Sequence, residues 1–173
     1  MVQPCRLLMV FCLLLALSSG CGYHPMGAET RPVETAPFLA IPLFENRSTE
    51  LGIEAVMANA LIHAFSQTRA VRVTNKPQGA DLVLDGKVAF VENSSVAFND
   101  IQRSSVRRVT IKVELNLKQR STGKILWKDS AVITEDYLVD PNYHIGETLK
   151  AQGIRRAAVT LAQRIMDKVL LVI

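Results

Sequence analysis

The stretch from Arg108 to Lys118 constrains the fold more than any other. Val109, Ile111, Val113, Leu115 and Leu117 alternate with Arg108, Thr110, Lys112, Glu114, Asn116 and Lys118. Successive side chains of a β-strand point to opposite faces, so this segment has one apolar and one polar face. A sheet built on it buries one side and wets the other, which favours antiparallel pairing over the doubly covered parallel arrangement.

The neighbouring segments supply partners. Ser121-Thr122-Gly123 reads as a hairpin turn, with the glycine supplying positive φ. Ile125 to about Tyr137 is the next strand, with Trp127, Ala131 and Ile133 on its inner side. Upstream, Asp81 to Val91 opens the main sheet and continues through Ser95–Phe98 to a turn at Asn99-Asp100. Leu82, Leu84, Val88 and Phe90 are expected on one face; Gly86 falls on that face too, which calls for a bulge or a close overlying helix. Phe38–Phe44 is a short apolar strand in which Pro42 marks an edge or an end, because proline cannot donate to a ladder. Val71–Thr74 is a brief strand followed by a turn at Lys76–Gly79.

Two helices complete the pattern. Leu51 to about Gln67 keeps helical spacing on a wide apolar face, with Asn59, His63 and Gln67 as the polar stripe and Ser48 or Thr49 placed to cap it. Gly146 to Leu171 carries Ile154, Ala158, Leu161, Ile165, Val169 and Val172 on one side, with Arg156, Thr160, Gln163 and Asp167 opposite. The fold class expected is therefore α+β: two helices packed on one face of a mostly antiparallel four- to five-stranded sheet. The other face stays polar and available.

The first residues set a compartment. Arg6 precedes an apolar run, Leu7 to Leu17, and then Ser18-Ser19-Gly20-Cys21. That is the layout of a secretory signal peptide, too short for a bilayer span of roughly 20 residues. Small residues ending at a cysteine resemble a bacterial lipobox, although Ser18 stands where a leucine is usual. On that reading residues 1–20 are removed and Cys21 is acylated. Residues 21–36 then form a lipidated tether rich in Gly, Pro and polar residues, and residues 37–173 a single α+β domain. Cys5 and Cys12 leave with the leader, so the mature chain has no thiol pair for a disulfide or a Cys-ligated metal.

Chemistry is sparse. His24, His63 and His144 show no ligand spacing, no Gly-x-Ser-x-Gly elbow occurs, and no glycine-rich phosphate loop is present. Glu135 and Asp136 are adjacent on a strand and point to opposite faces. The sequence predicts no enzyme, no cofactor and no metal. A net charge of +4 is too small a bias for a nucleic-acid partner. What stands out is a basic cluster, Arg103, Arg107, Arg108 and Lys112, around the start of the alternating strand. Guanidinium groups there suit phosphate or carboxylate ligands. Equally, cations at a sheet edge deter strand addition.

Several segments together resemble the LPS-assembly lipoprotein family, the LptE family, whose members are the small subunit of the outer-membrane lipopolysaccharide translocon. They are Cys21-Gly22-Tyr23-His24, Ile41-Pro42-Leu43-Phe44-Glu45-Asn46, Ala80-Asp81-Leu82-Val83-Leu84-Asp85-Gly86 and the final helix. The resemblance covers the mature chain. It implies two helices on a four-stranded sheet and a non-catalytic role: plugging a β-barrel partner, helping it assemble and contacting lipopolysaccharide. It also implies outer-membrane retention on the periplasmic side, since Gly22 and not Asp follows the cysteine. Two cations found in some members have no counterpart, because Asn99 follows Phe98 and Asp140-Pro141-Asn142 follows the last strand. Arg103, Arg107, Arg108 and Lys112 are the candidates in their place. The Phe-x-Asn and Ala-Asp-x-x-Leu segments also resemble lipoprotein activators of cell-wall synthases. That alternative calls for a longer tether than about 15 residues, which reach roughly 50 Å at full stretch.

Overall fold

A computed structural model of the chain describes residues 35–74, 76–98 and 104–173. The expected leader, Cys21, most of the expected tether, the expected turn at Asn99-Asp100 and Arg103 lie outside the described residues. In chain order the elements are β1 (Phe38–Ala40), β2 (Glu45–Asn46), α1 (Ile53–Ser66), β3 (Arg72–Thr74), β4 (Leu82–Phe98), β5 (Ser104–Gln119), β6 (Ile125–Leu138) and α2 (Tyr143–Leu170). The strands form one six-stranded sheet in the order β3-β1-β4-β5-β6, with β2 also paired to β4. The three long strands are antiparallel, and the short ones join in parallel. The architecture is the expected α+β one, with one more strand and a parallel corner.

The alternation in β5 does what its spacing demands. Val109, Ile111, Val113, Leu115 and Leu117 are each fully buried, whereas the intervening polar residues are half-exposed. Their cover is the two helices, which present Met57, Leu61 and Phe65 from α1 and Ala157, Leu161 and Ile165 from α2 to one continuous core. Removing this apolar area from water, at roughly 25 cal/mol per Å², is the dominant stabilising term. Ion pairs then fix the helices laterally: Arg156 to Glu135 at 2.6 Å, Lys168 to Asp129 at 2.6 Å, and Lys150 to Glu50 at 2.7 Å.

Four details differ from the sequence pattern. The first strand ends at Ala40; Pro42 lies in the connection, and pairing resumes only at Glu45. Neither Ser48 nor Thr49 caps α1. The N-cap is Gly52, at φ 80, because Ser48 is already engaged: its N–H and hydroxyl both donate to the Asn46 side chain. Asn46 in turn donates to the Glu50 carbonyl and to Glu54. Leu51 is left outside the helix, 93% exposed.

Gly86 is covered by neither a bulge nor a helix. The Phe44 ring lies over it, and a Cβ there would clash with that ring. The bulge comes later, between Val88 and Phe90. It reverses the parity of β4, so Phe90 turns to the open face and Val91 packs on the core. Finally, α2 begins at Tyr143 rather than Gly146. Asn142 caps it by accepting from the N–H groups of His144 at 3.0 Å and Ile145 at 3.4 Å.

Candidate ligand-binding surface

β1 and β2 pair with β4 only as far as Val88. Beyond it, β4 has β5 on one side and, among the described residues, no strand on the other. The distal half of the hairpin is consequently thinly covered: Glu92 to Val96 are exposed throughout, as is Phe98. Arg107, Arg108 and Lys112 of the basic cluster sit along this distal half.

The structure separates its members. Arg107 and Arg108 are consecutive on β5 and so lie on opposite faces. Arg108 is on the open face, where its guanidinium clasps Asp136 with two bonds of 2.6 and 2.9 Å. The hydrogen bond and charge of Asp136 push Arg108 further up, and Arg108 holds the Asp136 carboxyl below its usual range. A cation committed in this way is poorly placed to capture a second anion. Lys112 shares that face and stands in a cross-strand row between Phe90 and Val132, 39% and 49% exposed. The rest of the open face is laced by Lys87 with Glu114 at 2.8 Å, and by Lys118 with Asp85.

Arg107 is on the helix side, opposite Tyr137, where the sheet runs past the start of α2. It makes no ion pair among the described residues. With Tyr137, Asp140, Tyr143, Glu147 and Lys150 it lines a groove of about 240 Å³. Tyr137 is held by a bond from its hydroxyl to Asn93 at 3.3 Å. Burial draws the Lys150 ammonium down, but the hydrogen bond and charge of Glu50 outweigh it and leave the group raised and cationic. The groove therefore offers two cations, two carboxylates and two tyrosines.

Sequence reasoning picked out Arg107 but not the other groove residues. The α2 contributors Tyr143, Glu147 and Lys150 have i, i+4, i+7 spacing on its first two turns. That signal was hidden because the helix start was placed three residues late. Among the described residues no cluster of His, Cys, Asp or Glu is arranged to hold a metal, and no helix is long and apolar enough to cross a membrane.

A two-layer sheet with helices on one face and an open polar face on the other is a scaffold shared by proteins of little sequence similarity. A hypothetical protein, CT253, from Chlamydia trachomatis superposes with a TM-score of 0.56 at 7% identity, over 79% of this chain and 97% of that one. Protein XCC0632 from Xanthomonas campestris gives 0.52 at 13% identity, over 79% and 84%. The rare lipoprotein B from Shewanella oneidensis gives 0.50 at 15% identity, over 76% and 92%. These likenesses concern the fold. No curated protein is similar enough in sequence to count as a match.

The sequence model of the LptE family, described as lipopolysaccharide-assembly, matches residues 38–169. That span runs from the first residue of β1 to the last turn of α2. The chain belongs to the LptE lipopolysaccharide-assembly family, a family of non-catalytic envelope assembly proteins, and is accordingly not an enzyme.

Proposed function

We infer that this chain is an outer-membrane lipoprotein on the periplasmic side. On this reading residues 1–20 are removed, Cys21 carries the lipid, residues 21–36 tether the anchor, and residues 37–173 form the working domain. That domain plugs and helps assemble the β-barrel lipopolysaccharide translocon and supports insertion of lipopolysaccharide into the outer leaflet. The observation that carries the proposal is the family match over the whole folded unit. The open sheet face supports it: it is polar, and its Arg108, Glu114 and Lys118 pair across strands while staying half-exposed, which suits the polar interior of a barrel.

For the glycolipid, we rank the candidates read from the sequence by which of them are left without an ion pair among the described residues. Arg107 and Lys150 at the groove are the favoured phosphate contacts; Arg103 stays a candidate from its place in the sequence, and Lys112 is a secondary contact on the open face. Arg108 is occupied by Asp136 and acts as a local brace.

Affinity purification of the full chain in mild detergent is expected to bring down a large barrel protein. A preparation free of any barrel would remove the docking role. Mass spectrometry of the processed product is expected to find Cys21 first and acylated; any other N-terminus would remove the anchor. In a pull-down with lipopolysaccharide, Arg107→Ala is expected to reduce retention and Arg108→Ala to leave it near wild type. The reverse order would sink the ranking of the two arginines.

A further inference from the structure

β6 is the long edge of the sheet, and its outer side carries no strand among the described residues. Val139 N–H donates to the Ser105 carbonyl, so odd-numbered residues at this end of β6 bond to β5. The even-numbered ones, Lys128, Ser130, Val132, Thr134 and Asp136, turn their N–H and C=O outward. Only the Asp136 carbonyl is otherwise engaged, accepting from Arg156 at 3.1 Å.

Natural sheets blunt such edges with proline, bulges or inward charges. The free edge of β4 is blunted in that way, with register shifts at Val88/Phe90, Ser95/Ala97 and Ala97/Phe98. β6 has no proline, and its pairing with β5 is regular from Trp127 to Leu138. Its covered-face carboxylates Asp129 and Glu135 are neutralised by Lys168 and Arg156 of α2.

The sequence of this edge is self-complementary. Leu126 to Leu138 reads Leu-Trp-Lys-Asp-Ser-Ala-Val-Ile-Thr-Glu-Asp-Tyr-Leu. Laid antiparallel on a second copy about Val132, Leu126 meets Leu138, Trp127 meets Tyr137, Lys128 meets Asp136, Ser130 meets Thr134 and Ala131 meets Ile133. Asp129 meets Glu135, and each already carries its own counter-charge, as Asp136 does in Arg108, so Lys128 adds a second cation beside that pair. The even-numbered residues face one another as this register requires for backbone bonding. Shifting by two residues would set Trp127 against Glu135 and Asp129 against Ile133.

The helices fit the same two-fold axis. Over the second half of β6 the inner residues Ile133 and Tyr137 are buried; over the first half Trp127, Asp129 and Ala131 are only half-covered. The axis sets the covered half of one copy beside the open half of the other. On the open face it joins two rows of Phe90, Lys112 and Val132 through the half-exposed valines.

We propose that β6 is a homotypic docking edge: two copies of this chain pair antiparallel through Leu126–Leu138, with Val132 on the two-fold axis. The inference goes beyond the translocon reading and stands on a different surface from the groove.

Register-specific disulfide trapping in the full lipoprotein tests it. In a hydrogen-bonded antiparallel pair the Cα atoms are about 5.5 Å apart, within disulfide range. Val132→Cys is expected to cross-link to itself under mild oxidation. Ser130→Cys and Thr134→Cys are each expected to remain monomeric, about 13 Å from their own copies, but to cross-link when mixed. Wild type, which shares Cys21, is the control. Val132→Lys, at an exposed position, is expected to weaken self-association by about tenfold or more in sedimentation without loss of folding. No cross-link at position 132, or equal self-cross-linking at 130, 132 and 134, would overturn the proposal.

Discussion

The two faces of β5 are built from alternate residues of one strand, yet they answer to different physics. On the covered face, five consecutive inward positions are fully buried in one continuous apolar core. On the open face, Arg108, Glu114 and Lys118 are each paired with a carboxylate or ammonium on a neighbouring strand and remain in contact with water. Burial converts into stability through excluded water and close packing, which are local and unforgiving. Exposed ion pairs gain little, because solvent screens them and ordering long side chains costs entropy. The comparison teaches that one strand carries the stability on one side and leaves the other free to carry specificity.

The largest effect that could break this contrast is Leu115→Ala. It should cost about 2–5 kcal/mol in denaturant unfolding, since the helices above cannot fully close the cavity. Glu114→Ala, one residue away, should leave the unfolding midpoint close to wild type, because solvent screens the exposed pair. Similar losses for the two would mean that the open face is packed against something in the folded monomer.

Next comes Gly86→Ala, where the new methyl meets the Phe44 ring. Overpacking of this kind costs about 1–3 kcal/mol. Phe44→Leu, placed in the Gly86→Ala background, should recover part of the loss; no recovery would show that some other contact is responsible. Asn142→Ala removes the α2 cap and should cost about 1 kcal/mol, read as a lower thermal midpoint with little change in the denaturant slope.

The smallest effect concerns pH. Arg108 depresses the Asp136 carboxyl, and Lys168 depresses Asp129. A carboxyl that is lower in the folded state than in the unfolded one adds stability above its unfolded value, near 3.9, and loses it as pH falls through the folded value. Acid titration should therefore show a modest loss of stability below about pH 4. The Asp136→Asn variant should show a shallower one. An unchanged acid limb in that variant would mean that the open-face pair contributes nothing measurable.

Much of this was legible in the chain itself. The alternation from Val109 to Leu117 requires a strand with one wet side whatever surrounds it, because the two-residue period is a property of the backbone. The spacing from Ile154 to Val169 likewise requires a helix with one buried stripe. The basic residues at 107, 108 and 112 were visible as a cluster. Adjacency in sequence could not show that Arg107 and Arg108 would be used differently. That depended on which face received the helices, on Asp136 lying across from Arg108, and on α2 beginning at Tyr143 to complete the groove.

The other surprises share one cause. The Phe44 ring over Gly86, the reversal at Phe90 and the loss of Ser48 as a cap all arise from partners distant in sequence. A local pattern specifies which side of an element is apolar; it does not say what will lie against that side. Periodicity is set by the geometry of one segment. The choice of neighbour is settled only when segments compete for the same volume and the same hydrogen-bonding groups, and that competition exists only in the folded chain.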